Sequence, residues 1–155
     1  MTPENTSKLI SSFPKLYRDA HSSSLSKMRY GLNVEDGWYD LIHNLSKNIE
    51  SEAKNAGIDP ESNDWPLAIQ VKEKFGSLKF YCLTGSAVDQ KRTLEVYGEI
   101  LSYRPLPSNQ SIAVLILEAE KKSIEICESC GSKGVLRGEG RLKTLCDACF
   151  KQKSN

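Results

Sequence analysis

Long apolar runs are missing from this chain. The longest, Ile112 to Leu117, is six residues, where a membrane span needs about 20. The N-terminus, Met1-Thr2-Pro3-Glu4-Asn5, carries no basic-then-apolar signal segment. Net charge is only +1, far from the strong basicity of a dedicated nucleic-acid binder. Histidine is scarce, with two residues, neither at a spacing that makes a metal pair or a base–nucleophile dyad. There is no internal repeat and no low-complexity tail. These absences predict a soluble, cytoplasmic protein without a membrane partner. Its length of 155 residues fits one ordinary domain, with room for a small appended module.

What is present is concentrated at the C-terminal end. Cys127-Glu128-Ser129-Cys130 and Cys146-Asp147-Ala148-Cys149 form two C-x-x-C pairs separated by 15 residues. Each pair can offer two thiolates from one tight turn, and the intervening loop lets the turns face each other around one ion. Four cysteines at metal spacing in a reducing compartment favour a metal over disulfides. The prediction is one structural Zn²⁺ per chain, held by Cys127, Cys130, Cys146 and Cys149. Gly131 suits the turn after the first pair, because glycine carries no penalty at positive φ. Val135-Leu136-Arg137 and Arg141 to Leu145 read as short strands across Gly138-Glu139-Gly140, and Asp147 to Gln152 as a short helix. The last 29 residues are too few to bury a core and depend on the metal to fold. They hold six Lys/Arg against three Asp/Glu.

Turn, hairpin, and a second pair at a helix start follow the order of a treble-clef zinc finger. Thr144-Leu145-Cys146-Asp147-Ala148-Cys149 resembles the second knuckle of GATA-type fingers.

Residues 1–126 read as an α+β domain of helices packed around a central β-hairpin. Residues 127–155 read as a small treble-clef-like zinc module with four cysteine ligands, attached rigidly to the preceding helix. Leu9, Ile10, Phe13, Leu16 and Tyr17 mark an apolar face within residues 7–20, with Pro14 starting a fresh helix. Trp38, Leu41, Ile42, Leu45, Ile49 and Ala53 lie on one helical stripe running to about Asn55, with Asp36 as N-cap and Gly57 as terminator. Residues 67–83 alternate through two arms about Lys74-Phe75-Gly76-Ser77, which is a hairpin pattern. A helix is expected from Ser86 to about Tyr103. Another, capped by Ser108, should carry Ile112, Leu115, Ile116, Ala119 and Ser123 inward. Its apolar run alone could be a strand, but Glu118 to Lys122 continue it to helix length.

Candidates for chemistry are few. Asp36 and Asp40, with Glu35, cluster at a helix start, where general acid/base work competes with ordinary capping. Trp38 could line a groove or sit in the core. Lys72, Lys74 and Lys79 on the hairpin, with Arg137, Arg141 and Lys143 on the finger, could form a strip for nucleic acid or a partner; the plainer reading is a solvated face. His43 is expected on the solvent side of its helix and His21 in a Ser-rich loop. Cys82, beside Phe80, reads as a small buried group. Four cysteines would fill every zinc position, so that site is a staple without catalytic capacity.

The chain resembles a family of small, largely uncharacterised bacterial and bacteriophage proteins. The resemblance is carried by Phe13-Pro14-Lys15-Leu16-Tyr17, Asp36-Gly37-Trp38-Tyr39-Asp40-Leu41-Ile42, Val71 to Tyr81, Ala119-Glu120 with Ser123, and Cys127 to Cys149. It implies a phage or prophage setting and a cytoplasmic location in the host cell. Three readings follow, in order. The first is a non-enzymatic accessory protein docking a host or defence protein. The second is a nucleic-acid-binding accessory protein using the basic hairpin and zinc module. The third is an enzyme built on Asp36, Asp40 and His43.

Overall fold

A computed structural model describes residues 1–20, 32–85, 109–138 and 140–153 of the chain. It is a mixed helix and sheet structure with two antiparallel hairpins. The helix expected over 86–103, Ser108, His21 and Glu139 lie outside the described residues. No described helix is long and apolar enough to cross a membrane.

The first helix, α1, spans Pro3–Ser12. It begins earlier than the apolar pattern predicts, because Thr2 caps it and Pro3 occupies the first turn, where a missing N–H costs nothing. Residues after Pro14 form turns rather than a fresh helix. A 3₁₀ turn, Asp36–Trp38, leads into α2, Tyr39–Asn55, whose Ile42, Leu45, Ile49 and Ala53 are buried as the stripe requires. His43 departs from expectation. It is half-buried, its ring edge-on to Phe13 at 4.9 Å.

The central hairpin joins β1, Leu67–Lys74, to β2, Ser77–Leu83. Its two-residue loop has φ of 54° at Phe75 and 75° at Gly76, the double positive of a type I′ turn. Strict alternation along β1 fails at one place. A register shift between Ala68 and Gln70 leaves Ile69 as the extra residue, so Ala68 and Val71 both reach the core.

Neither edge of this hairpin is left open. On the β1 side, Asn33 exchanges backbone bonds with Val71 and Glu73, and Ala68 N–H donates to Leu16 O. On the β2 side lies α3, Gln110–Ser123, capped by Asn109 instead of Ser108. Its buried Ser123 accepts from Leu78 N–H at 2.9 Å, and its buried Glu120 accepts from Phe80 N–H at 3.1 Å. Helix is thus the state of Ile112–Leu117, with Ile112 and Ile116 buried. The core joins Leu9, Leu16 and Tyr17, the α2 stripe, Val71, Leu78 and Phe80, and the inner face of α3.

The C-terminal segment contains β3, Val135–Arg137, paired with β4, Lys143–Leu145, and then α4, Asp147–Lys153.

Phe75 stands where Asn, Asp or Gly is the ordinary choice, and its bulky ring gains little burial in return, at 68% exposed. Phe75→Asn should therefore stabilise the chain by about 0.5–1 kcal/mol. Urea unfolding checks this; a loss of stability would show that the ring is needed where it is.

Candidate metal centre

The four cysteines come together as their spacing predicts. Cys127 to Cys130 form a turn closed by Gly131 N–H on Cys127 O at 2.9 Å, with Gly131 at φ 79°. Cys146 precedes α4 and Cys149 lies in its first turn, where Cys149 N–H donates to Cys146 Sγ at 3.4 Å. The β3–β4 hairpin carries one turn back onto the other, and Glu128 N–H donates to Thr144 O at 2.9 Å.

All four Sγ atoms lie within 4.8 Å of one another. Cys130 Sγ and Cys146 Sγ are 3.7 Å apart, well beyond a disulfide bond. A tetrahedral ion with metal–sulfur bonds of about 2.3 Å places its sulfurs about 3.8 Å apart. The donor set therefore fits a four-coordinate metal. Hydrogen bonds from the Ser132 side chain and then its backbone hold the Cys130 thiol down at about 6. Cys149, hydrogen-bonded to the Cys146 and Cys130 sulfurs, is pushed up to about 12. That is the cost of crowding thiols without a cation, and a bound cation removes it.

The first knuckle is also a docking surface for the rest of the chain. Gly37 N–H donates to Glu128 O at 2.8 Å, and Trp38 Nε1 donates to Ile126 O at 2.8 Å. A Cβ on Gly37 would collide with Cys127 O, Gly131 N and Glu128 O. Glycine is required there by close approach, not by φ. Opposite, Thr144 Oγ1 donates to Gly76 O at 2.7 Å, and Leu136 packs so tightly on Gly76 that a Cβ would strike it.

An ion cluster seals this seam. Lys143 Nζ lies 3.0 Å from Glu35 and 2.9 Å from the buried Glu128, while Lys153 and the Ser129 hydroxyl also reach Glu35. Partial burial pushes the Glu35 carboxyl up, but bonds from Lys153, Ser129 and Lys143 outweigh it and hold the group at about 2. Burial keeps the Glu128 carboxyl raised despite Lys143.

The remaining sequence candidates are scattered or already engaged. Trp38 is fully buried, and the Asp36 carboxylate does not cap α2. It accepts instead from Thr2 N–H at 2.8 Å and Thr2 Oγ1 at 3.2 Å, fastening α1 to the 3₁₀ turn. Asp40 is exposed. Lys79 pairs with Glu120 at 3.1 Å. Arg137 binds Asp147, donates to Leu145 O and lies over the Phe150 ring. Lys72 sits over Tyr81 and Lys74 over Phe75, while Arg141 is exposed. Burial pushes the Cys82 thiol up to about 12, which makes it unreactive. Glu35, Glu128 and Gly37 were not singled out for this seam by the sequence; the Asp36-Gly37-Trp38 and Phe75-Gly76 motifs were its only signal.

No protein-family model, curated protein or solved structure matches the chain.

Gly37→Ala should cost about 2–3 kcal/mol, because the added carbon meets backbone that cannot yield. Trp38 emission should shift to the red in the same variant; a wild-type urea curve and spectrum would refute the close approach. Glu35 offers a pH test. Its carboxyl is held at about 2 against an ordinary 4.5, so it stabilises the fold above pH 4.5 and that contribution is lost as pH falls toward 2. Glu35→Gln should flatten stability against pH across this window relative to wild type. An unchanged acid limb would contradict the cluster.

Proposed function

We propose that this chain is a non-enzymatic, zinc-stapled binding protein that docks a protein partner. The observation that carries the reading is the direction in which its motifs face. Gly37, Trp38, Gly76, Glu120, Ser123 and the four cysteines all hold the chain to itself. Among the described residues they leave no paired acid and base converging on a cleft. A four-thiolate set gives no open coordination position for a water nucleophile.

Zinc is the ion that a tetrahedral all-sulfur site takes without redox chemistry, and iron is its competitor. The order of knuckle, hairpin, and second knuckle at a helix start supports a treble-clef arrangement. The resemblance to phage and prophage proteins supports an accessory role in a host cytoplasm, with a host or defence protein as partner.

A nucleic-acid role draws less support. Lys79, Lys143 and Arg137 would have to leave Glu120, Glu35 with Glu128, and Asp147 before they could meet phosphates.

Elemental analysis should find about one zinc per chain and no iron. Affinity capture from host lysate, with the metal-loaded chain as bait, should enrich a defined protein whose retention survives nuclease and moderate salt. No enriched protein, together with DNA or RNA binding that weakens steeply with salt, would overturn the reading.

A further inference from the structure

Among the described residues, nothing covers one edge of the C-terminal β3–β4 hairpin. Gly134 N–H donates to Glu125 O at 2.9 Å, away from β4, and Ile126 bridges Lys133 in antiparallel register. That register sets Ile124 opposite Val135, and there the pairing stops. In an antiparallel strand, main-chain groups two residues apart point to the same side. Leu136 N–H and C=O therefore point outward, as Gly134 does. The opposite strand agrees, because Thr144, the partner of Leu136, gives its carbonyl to Glu128 and not to β3. Among the described residues nothing bonds the Leu136 main chain.

The side chains along this edge are apolar on both faces. Val135 and Leu136 point to opposite faces of β3, yet they are 48% and 50% exposed. Ile124 continues the Val135 side, and Phe75, beside the Gly76 that Leu136 touches, continues the other. A globular surface pressed on one face would cover only one of these pairs. An extended segment laid along the edge covers both, because its own side chains alternate. Charge selects among such segments. The exposed charged residues next in sequence to Phe75, Ile124 and Gly134 are Lys74, Lys121, Lys122 and Lys133, against Glu125 alone.

We propose that the open edge of β3 is a docking site for an extended, acidic and apolar segment of a partner protein, added as a further strand beside Val135–Arg137. This rests on the protein-binding reading and names its surface. The apolar flanks carry most of the affinity, since β3 is only three residues long.

A synthetic heptapeptide of alternating glutamate and valine is the probe, titrated into the metal-loaded chain and followed by amide NMR and hydrogen exchange. The Leu136 amide should shift saturably and exchange more slowly. The same peptide with proline at its centre should leave that amide unchanged, having lost a ladder donor. A lysine–valine peptide should bind about tenfold more weakly, a difference of roughly 1.4 kcal/mol. Val135→Glu, which puts a charge of the same sign as the peptide's at an exposed position, should weaken the glutamate peptide while retaining the metal. No shift at Leu136, equal binding of the proline peptide, or concentration-dependent dimerisation in place of peptide binding would each overturn the proposal. A partner captured from lysate and held equally by Val135→Glu would overturn the edge while leaving the protein-binding reading intact. Failure to capture any partner bears on that reading alone.

Discussion

Four thiols gathered within 4.8 Å of one another cannot all ionise unless a cation sits among them. The segment that carries them has little else to fold around, since the buried side chains among its described residues are few: Cys127, Glu128, Thr144 and Leu145. A metal held there would supply folding free energy that a small core cannot. Its influence extends beyond its ligands. The carbonyls of Ile126 and Glu128, fixed by the first knuckle, are the acceptors for Trp38 and Gly37. The β3–β4 hairpin, fixed by the second, grips the turn at Gly76. Trp38 is itself a core residue packed with the α2 stripe, so its indole is one of the contacts that couple the cysteine centre to the main core.

Much of this was legible in the sequence because it follows from periodicity or spacing. The α2 stripe, the central hairpin, the helical state of Ile112–Leu117 and the gathering of the four cysteines belong to that class. What escaped depends on contacts between distant segments. Gly37 reads as an ordinary turn residue, and nothing local reveals that three backbone atoms of another segment stand where its Cβ would be. Glu128 and Lys143 look like solvated charges, but burial and pairing make them part of a seam. The early start of α1 was signalled by Thr2-Pro3 and obscured by the absence of large apolar residues before Leu9. Ile69 defeats the alternation rule because a bulge changes which residues share a face.

The short motifs scattered along the sequence acquire a physical meaning here. Asp36-Gly37-Trp38, Phe75-Gly76, Glu120 with Ser123, and Thr144-Leu145-Cys146 lie far apart in sequence but serve two junctions. One joins the four-cysteine segment to the rest of the chain, and the other joins α3 to the edge of β2. These motifs specify a scaffold. Residues that meet a partner are then to be sought where the scaffold spends stability without evident structural return. A left-handed, exposed Phe75 and a half-exposed apolar β3 are such places.

Hydrogen–deuterium exchange of the metal-loaded and chelated chain tests the central claim most directly. If the metal centre fixes the seam, chelation removes protection together from the Gly37 and Gly131 amides and from Trp38 Nε1–H. Loss confined to residues 127–153, with Gly37 and Trp38 still protected, would contradict that coupling and reduce the metal to a local staple.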